Sequence, residues 1–283
     1  EPAMLVAITG ASGSIGTCAV PELLKNNSHI TCRILYRPVR TDETLVRKWK
    51  KEFGDRISLC LGDVRSYEAC LRLVKNADFV LHLASLIPPT SDHNPKRTKS
   101  VNHGGTVNIV KAIIDSGNTA RLIFFSSVAA YGHRAMPHIW GRVGDPLMPS
   151  VFDVYGATKV RAEREILESE LKHYVILRET GVLYDNLMTK NLHSGLMFQT
   201  PVNTLIEWVT AKDTAVLLNN IIAGADIVPD FWNQVYNIGG GISCRETGFN
   251  TYDNGFRLLG KSSKNFFDPE WHPLRTFHCF WFS

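Results

Sequence analysis

Short apolar runs alternate with helix-type patterns along most of the chain. An apolar run bounded by turn residues is typical of a buried strand, and apolar positions three and four residues apart indicate a helix that lies on a sheet. We predict strands at residues 4–9, 29–36, 57–61, 79–83, 121–125 and 175–178, and helices at 43–53, 67–74 and 155–171. Strands that alternate with helices predict an α/β fold with a doubly wound parallel sheet.

The predicted sheet divides the chain into two parts. Residues 1–182 are predicted to form a Rossmann domain that binds NAD(P), and residues 203–238 are expected to return to it. Most of residues 183–283 are predicted to form a small carboxyl-terminal lid, whose aromatic residues either build its core or face a ring substrate. The long segment 132–153 contains several prolines and glycines and is predicted to form a wall of the substrate pocket.

Composition narrows the classes of function. The chain has 283 residues, of which 44% are hydrophobic and 20% charged, as in an ordinary globular enzyme. The net charge of +4 is spread along the chain, so we expect a small-molecule substrate and no nucleic acid. No apolar run has membrane-spanning length, and the six cysteines have no metal-ligand spacing, so we predict no membrane segment and no metal site. The cysteines fit small core positions, which favours a reducing, cytoplasmic compartment.

A glycine-rich turn follows the first predicted strand and precedes a helical pattern. In such a turn the first glycine permits a tight bend, the second lets the backbone approach a pyrophosphate, and the third lets the helix lie close to the strand. The N–H groups that begin the helix then face the phosphates. We predict that a dinucleotide contacts Gly10, Ser12, Gly13, Ser14, Ile15 and Gly16. The alternative is an ordinary glycine-rich turn of an α/β protein.

The end of the second predicted strand bears on the choice between NAD and NADP. NAD-binding proteins commonly place a carboxylate there for the ribose 2′-hydroxyl. This chain has Tyr36 followed by Arg37 and no carboxylate at that end. Because a guanidinium suits the geometry of a phosphate, we predict that Arg37 favours NADP, with NAD as the alternative.

The third and fourth predicted strands also end in residues suited to a cofactor. Asp63, which Val64 follows, can accept a hydrogen bond from an adenine amino group or cap the next helix. Leu83, Ala84 and Ser85 follow the fourth strand, where small residues let a cofactor lie against the backbone. We predict that these five residues contact the dinucleotide.

Tyr155 and Lys159 lie four residues apart in a helical pattern, so they lie on one face of the helix, one turn apart. A free tyrosine has a pKa of about 10. The nearby ammonium is expected to lower this pKa and to make Tyr155 a general acid and base for a hydroxyl or carbonyl oxygen. Taken alone, such a pair is more often a solvated helix surface.

In their order along the chain, these motifs resemble the extended branch of the short-chain dehydrogenase/reductase family. The matching sequences are the glycine turn, Gly62-Asp63, His82-Leu83-Ala84-Ser85, Val101-Asn102 with Gly105-Thr106, Ser126-Ser127 before Tyr131-Gly132, and Tyr155 with Lys159. The resemblance implies a Ser-Tyr-Lys catalytic set, in which Tyr155 and Lys159 also contact the cofactor and Lys159 holds the nicotinamide ribose. Counting four residues back from Tyr131, as in that family, selects Ser127 rather than Ser126. Asn102 matches a supporting position, either structural or in a proton relay, and relatives often form homodimers.

The sequence therefore predicts an NAD(P)-dependent oxidoreductase that transfers hydride to or from a secondary alcohol or ketone. One alternative is a nucleotide-sugar epimerase or dehydratase that uses bound NAD with no net redox change. Another is a non-catalytic dinucleotide sensor, although sensors of this fold generally lack the tyrosine and lysine. The stretch after Arg178 fits neither substrate class. Ketone reductases of the resembled family usually have proline where this chain has Glu179, and its nucleotide-sugar enzymes often have asparagine where this chain has Gly181.

Overall fold

The main element of the fold is a parallel sheet. The computed structural model describes residues 2–134, 139–185 and 201–263 and the single positions 187 and 270. Seven strands in this part of the chain form the sheet: Met4–Thr9 (β1), Ile30–Tyr36 (β2), Ile57–Leu61 (β3), Phe79–His82 (β4), Arg121–Ser127 (β5), Tyr174–Glu179 (β6) and Gln234–Ile238, which is numbered β9. Their order, β3-β2-β1-β4-β5-β6-β9, reverses between β1 and β4, so the predicted doubly wound α/β fold is confirmed.

Helices connect the strands. They are Gly16–Asn26 (α1), Arg40–Phe53 (α2), Tyr67–Val74 (α3), Thr90–His93 (α4), Pro95–Thr98 (α5), Gly105–Asp115 (α6), Val154–Leu167 (α7), Ala211–Ala223 (α8) and Gly248–Leu258 (α9). Polar side chains begin several of them: Ser66 caps α3, Asp153 caps α7 and Thr210 caps α8, each by accepting a hydrogen bond from a backbone N–H group. None of the described helices combines the length and the apolar character that crossing a bilayer requires.

The two faces of the sheet carry separate hydrophobic cores. Alternate strand residues point to opposite faces, so Phe125 and Leu177 pack with α1 and α8 while their neighbours Phe124 and Ile176 pack with α6 and α7. Asn27 at the end of α1 donates through Nδ2 to Asn219 Oδ1 of α8 at 2.6 Å. The carboxyl ends of the strands lie between these two cores.

A second, smaller sheet lies beyond β6. It contains Gly181–Leu183 (β7), Leu205–Thr210 (β8) and Arg245–Thr247 (β10), with β8 in the middle. The chain then passes through α8 to β9, which pairs with β6 in parallel and so joins the main sheet. The predicted division into a Rossmann domain and a lid stays a prediction, since much of residues 183–283 lies outside the described part.

The segment after β4 is polar and contains prolines, a composition that is typical of a loop. Residues 87–99 nevertheless contain α4 and α5 and lead into the π-helical turn Lys99–Gly104. Asn94 Oδ1 accepts a hydrogen bond from Arg97 N at 3.1 Å, and Pro95 stands at the first helical position, where its lack of an N–H group has no cost. The polar, proline-containing sequence thus begins a short helix instead of preventing one.

Candidate active site

The glycine-rich turn lies against the end of β4. Gly10 has a φ of +72°, and a Cβ at this position would lie 2.6 Å from Ala84 N, so a side chain is excluded there. Gly13 N donates to Gly10 O at 3.0 Å, which closes the turn. At the start of α1, Ile15 forms no side-chain hydrogen bond to the helix, while Thr17 N already donates to Gly13 O at 2.9 Å. The N–H groups that precede Thr17 are in the position where a phosphate usually binds a helix N-terminus.

A cavity of about 210 Å³ lies beside this turn, at the ends of β2 and β3. We refer to it as the adenosine side, because the residues predicted to contact the adenine and its ribose line it. The predicted residues that line it are Gly10, Ser12, Gly13, Arg37, Asp63, Val64, Leu83, Ala84 and Ser85. The hydrogen bonds and the charge of Arg65 outweigh burial and hold the pKa of Asp63 below its ordinary value. Asp63 is therefore ionised and bound to Arg65, whose Nε lies 2.9 Å from Asp63 Oδ1.

The same cavity contains a carboxylate that the sequence analysis missed. Asp42, in the first turn of α2, is 8% exposed and lines the cavity together with Arg37. Arg37 lies at this end as expected, but the expectation that no carboxylate lies there is wrong, because α2 begins soon after β2 and brings Asp42 back to the strand end. A carboxylate here is suited to accept hydrogen bonds from ribose hydroxyl groups.

A second cavity, of about 230 Å³, continues from the turn toward β5, β6 and α7, and we refer to it as the cleft. The predicted residues that line it are Gly10, Gly13, Ser14, Ile15, Gly16, Leu83, Ser85, Ser127, Tyr155 and Lys159. The two cavities together contain every predicted site residue except Asn102. The cleft also contains residues that the sequence analysis did not place there: Ile87, Phe125, Ser126, Glu179, Thr180, Val182 and Tyr184.

Ser126 and Ser127 point to opposite faces of β5. Ser126 is buried and donates through Oγ to Glu163 Oε1 of α7. Ser127 is half-buried, accepts a hydrogen bond from Ala129 N at 3.1 Å and forms a hydrogen bond with Tyr155. The serine beside the tyrosine is therefore Ser127.

Tyr155 is fixed by the start of α7, where Asp153 Oδ1 accepts a hydrogen bond from Gly156 N at 2.8 Å. Burial raises the pKa of Tyr155 above its ordinary value, the hydrogen bond with Ser127 acts in the opposite direction, and the charges of Glu179 and Asp153 add to the increase. The expected lowering of this pKa is therefore not met by the protein's own groups, because burial and two carboxylates oppose it.

Lys159 is buried beneath the tyrosine. Its Nζ donates to Phe125 O at 2.6 Å and lies 5.7 Å from the centre of the Tyr155 ring. Burial lowers the pKa of Lys159 to about 8, and the charges of Glu163 and Glu179 act in the opposite direction. The ammonium thus lies between a carbonyl group and two carboxylates.

Glu163 extends the Tyr155–Lys159 stripe by one helical turn and was missed in the sequence. Its carboxylate forms a buried ion pair with Arg178 of β6, with Oε2 at 2.7 Å from Nη2. Arg178 Nη1 also donates to Tyr131 Oη at 3.0 Å. The spacing of four residues after Lys159 was the available signal. This pair joins α7 to β6 behind the cleft.

Glu179 lies one residue further along β6, on the opposite face. It is 5% exposed, lines the cleft and accepts a hydrogen bond from Thr214 Oγ1 of α8 at 2.5 Å. Burial raises the pKa of Glu179 to about 7, while Thr214 and the charge of Lys159 act in the opposite direction. The site therefore contains a carboxyl group that titrates near neutral pH.

Asn102, the predicted residue outside both cavities, connects the cleft wall to the tyrosine helix. Its Oδ1 accepts from Leu86 N at 2.8 Å, and its Nδ2 donates to Leu86 O at 3.0 Å and to Thr158 Oγ1 at 3.1 Å. Thr158 in turn donates to Tyr155 O at 2.8 Å. These contacts join the segment at Leu86 to α7.

A buried histidine continues this chain of hydrogen bonds toward β1. Thr106 Oγ1 donates to Asn102 O at 2.7 Å, so it accepts from His82 Nε2 at 3.1 Å. His82 Nδ1 then accepts from Thr9 Oγ1 at 2.6 Å, and Thr9 Oγ1 accepts from Ala84 N at 3.1 Å. Burial lowers the pKa of His82 to about 3. His82 is thus a neutral histidine of the core.

Two buried hydroxyl groups lie beside the cleft. Ser85 Oγ and Thr180 Oγ1 are buried, and neither has a hydrogen-bond partner among the described residues. Both residues line the cleft. Because buried polar groups are nearly always paired, a bound molecule is the natural partner of these hydroxyl groups.

One protein family matches most of the chain. The sequence profile of the NAD dependent epimerase/dehydratase family matches residues 6–239. The chain belongs to this family. The match covers the glycine turn, the Ser-Tyr-Lys residues and the return of the chain through α8 to β9.

Several named relatives belong to different substrate classes. UDP-glucose 4-epimerase of Vibrio cholerae is 27% identical over 183 residues, which are 62% of this chain and 51% of that protein. 3 beta-hydroxysteroid dehydrogenase type 7 of Mus musculus is 24% identical over 212 residues, 70% of this chain and 56% of that protein. The chain thus spans about half the length of these curated relatives.

Solved structures share the fold. A dTDP-glucose 4,6-dehydratase from Bacillus anthracis in complex with NAD has a TM-score of 0.75 at 18% identity, over 93% of this chain and 83% of that chain. A Thermus thermophilus UDP-glucose 4-epimerase in complex with NAD has a TM-score of 0.71 at 20% identity, over 92% and 84%. These proteins contain NAD, so the comparisons do not support the preference for NADP that Arg37 suggested.

Other predicted features stand apart from the cleft. None of the described residues that line it comes from segment 132–153, so the predicted pocket wall stays a prediction, and Met136 and Pro137 of that segment lie outside the described residues. The aromatic residues of the predicted lid from Phe266 onward lie outside them too. Gly141 O accepts a hydrogen bond from Asn237 Nδ2 at 2.9 Å, which ties the segment to β9.

Proposed function

We propose that this protein is an NAD-dependent enzyme that reversibly oxidises a secondary alcohol of its substrate, with Tyr155 as the acid and base. The observation that carries the proposal is the convergence of Ser127, Tyr155 and Lys159 on a cleft that continues from the glycine-rich turn. When bound, NAD would accept a hydride from the alcohol carbon and return one to a carbonyl carbon.

NAD fits the residues that would hold it. The missing Cβ at Gly10 leaves the turn close to β4, and the uncapped first turn of α1 suits the pyrophosphate. Asp42 and Arg37 line the adenosine side together, so a ribose diol has a carboxylate acceptor there. The unpartnered hydroxyl groups of Ser85 and Thr180 are suited to the nicotinamide side. We therefore propose NAD in place of NADP.

The three catalytic side chains have separate roles in the proposed reaction. Ser127 Oγ would hydrogen-bond the substrate oxygen, since it already lies beside Tyr155. Tyr155 Oη would take the proton of an alcohol or give one to a carbonyl. Lys159 would supply positive charge under the tyrosine, because with a pKa of about 8 it is mostly protonated at neutral pH. Asn102 would hold the tyrosine helix against the cleft wall through Thr158.

A second candidate is an internal oxidation and reduction, with no net change of the cofactor. The family match and the relatives named as UDP-glucose 4-epimerase favour it, and they make nucleotide sugars the first substrates to test. A Cβ at Gly181 would lie 2.8 Å from the Trp208 ring, so no asparagine side chain fits there. A nucleotide sugar would therefore need a different phosphate contact. The homodimer and the cytoplasmic location stay predictions.

The proposal is tested by Tyr155→Phe, which removes the hydroxyl and keeps the ring. Turnover of UDP-glucose or of a hydroxysteroid should fall by about 10²- to 10⁴-fold, as general acid–base catalysis contributes that much. The NAD dissociation constant should change by less than about threefold, since the ring of residue 155 and the other predicted cofactor contacts remain. Tyr174→Phe, the same change at the other end of the sheet, should keep full turnover.

The result that would contradict the mechanism is near-normal turnover in Tyr155→Phe. The absorbance of NADH during the reaction separates the two candidates. Net accumulation indicates an oxidoreductase, whereas product formation without accumulated NADH indicates the internal reaction. NAD retained through purification would point to the internal reaction as well.

A further inference from the structure

Glu179 is a buried carboxyl group that the proposed proton transfer does not use. It ends β6 directly beside Ser127 of β5, with which it is paired in register. Thr214 Oγ1 of α8 fixes one carboxylate oxygen at 2.5 Å. The carboxyl group is thus held at the end of the cleft where Ser127, Tyr155 and Lys159 meet.

The charge of Glu179 is only partly balanced by the protein. Lys159 acts on it electrostatically, but the ammonium donates its hydrogen bond to Phe125 O at 2.6 Å. Glu163, in contrast, has Arg178 at 2.7 Å. Burial consequently dominates at Glu179 and raises its pKa to about 7. A further positive charge that enters the cleft would stabilise the ionised form.

Neutral Glu179 also satisfies the hydrogen bonds of Thr214. That hydroxyl has a single proton and two neighbouring acceptors, Glu179 Oε1 at 2.5 Å and Thr210 O at 3.1 Å. If Glu179 is protonated, it can donate to Thr214 Oγ1 while Thr214 donates to Thr210 O. The geometry therefore accommodates both protonation states of Glu179.

The cofactor of the proposed function changes charge, because the nicotinamide ring is a cation when oxidised and neutral when reduced. This inference rests on the proposed function, in which the ring lies where Ser127 and Tyr155 act on the substrate. We propose that the Glu179 carboxylate makes the cleft bind oxidised NAD in preference to reduced NAD.

The elements packed around Glu179 present few other groups that titrate near neutral pH. The facing residues are Ser127 of β5, Ile238 of β9, Tyr155 and Lys159 of α7, and Thr214 of α8. The pKa of Tyr155 lies above its ordinary value, and that of Lys159 is about 8. Effects centred below pH 7 can thus be assigned to Glu179 among these described neighbours.

The first experiment measures the affinities of NAD⁺ and NADH by calorimetry at pH 6, 7 and 8, for the unmodified protein and Glu179→Gln. At pH 8 the ratio of the NAD⁺ to the NADH affinity should be about tenfold larger in the unmodified protein, since an opposite charge nearby shifts binding by about that factor. At pH 6 the two ratios should converge, because Glu179 is then protonated. Glu170→Gln, an exposed site at the end of α7, serves as the matched control.

The second experiment counts protons, by repeating the calorimetry in two buffers that differ in ionisation enthalpy. NAD⁺ should lower the pKa of Glu179 and release a fraction of a proton, with a maximum below pH 7, while NADH should release less. Release from Lys159 would instead centre between pH 7 and 8. The release below pH 7 should vanish in Glu179→Gln.

The variant Thr214→Val distinguishes the proposed electrostatic role of Glu179 from a purely structural role as an anchor for α8. The valine removes the donor and keeps the carboxyl group, so the preference for NAD⁺ should remain, with its midpoint moved to higher pH. A structural role predicts the loss of the preference in both variants.

Equal affinity ratios in the unmodified protein and Glu179→Gln would overturn the inference and leave the proposed function standing. Failure of the unmodified protein to bind either cofactor would instead overturn the proposed function.

If Glu179→Gln does not fold, the unmodified protein alone decides the matter. An affinity ratio that stays constant from pH 6 to pH 8, without proton release below pH 7, would contradict the inference. A ratio that rises across this range would support it.

Discussion

The two faces of the sheet at the ends of β5 and β6 contain similar residues in different electrostatic settings. On the α7 face, Ser126 and Arg178 both bind Glu163, so the buried carboxylate is paired with a cation. On the α8 face, Ser127 lies beside Glu179, whose fixed partner is the hydroxyl group of Thr214. Glu163, which has a cationic partner, holds α7 to β6, whereas Glu179, which is bound to a hydroxyl group, titrates within the cleft. A shift of one residue along each strand thus separates a structural cluster from a candidate functional one.

The largest effect should come from breaking the paired side with Glu163→Gln. This change leaves the Arg178 guanidinium buried without its counter-ion, which typically costs about 3–5 kcal/mol of unfolding free energy. Urea denaturation near pH 7 measures the loss. Replacing both residues by apolar ones of similar size, in Glu163→Met with Arg178→Met, should cost less than the single change. A loss below about 1 kcal/mol in the single variant would show that this pair does not hold α7 to β6.

The opposite face should respond differently to the same substitution. The pKa of Glu179 rises from 4.5 to about 7 on folding, so the folded protein retains the proton longer than the unfolded chain does. This contribution is fully present below pH 4.5 and is lost as the pH rises through 7, by at most about 3 kcal/mol. Glu179→Gln should therefore destabilise little at pH 5 and should flatten the decrease of stability between pH 5 and 8.

The measurement is a series of urea denaturations at pH 5, 6, 7 and 8, read as the difference between Glu179→Gln and the unmodified protein. Reading the difference removes the contribution of the other carboxylates. A difference that does not depend on pH would mean that Glu179 keeps an ordinary pKa in the folded protein.

The features that could be predicted from the sequence are those set by residues close together in the chain. The glycine turn, the strands and the Tyr155–Lys159 pair depend on residues close in the chain, and all three occur as expected. Glu163 continues the same spacing and was available from the sequence. The character of Glu179 was not, because its partner Thr214 is 35 residues away and its burial depends on α8.

Packing between residues that are distant in the chain also explains two differences from the sequence-based expectation, the raised pKa of Tyr155 and the carboxylate of Asp42. The pKa of Tyr155 depends on burial and on Glu179 and Asp153, and neither effect can be obtained from the spacing of a tyrosine and a lysine. Asp42 enters the adenosine side because α2 folds back over the end of β2, although it lies six residues beyond the position where a carboxylate was expected. Long-range packing decides both.

A neutral residue on the α7 face should have an effect of intermediate size. Asn102→Leu removes the hydrogen bonds to Leu86 and Thr158 but leaves no buried charge, so we expect a loss of about 1–3 kcal/mol. Because Asn102 supports the helix that carries Tyr155, kcat should fall while the NAD dissociation constant stays within about threefold. Asn102→Asp keeps the acceptor for Leu86 N and should recover part of kcat. A loss of stability without any change in kcat would assign Asn102 to packing alone.

The smallest effect should come from an ion pair that matches Glu163–Arg178 in chemistry and lies on the same helix. Arg164 Nε lies 2.7 Å from Glu168 Oε1, but both side chains are mostly exposed, at 74% and 63%. Water screens such a pair, and the negative charge of Glu168 at the end of α7 is unfavourable beside the helix dipole. In Glu168→Gln the two contributions oppose each other, so the midpoint of urea denaturation should not change measurably. If this variant lost as much stability as Glu163→Gln, burial would not be what distinguishes the two pairs, and the contrast between the two faces of β6 would need another cause.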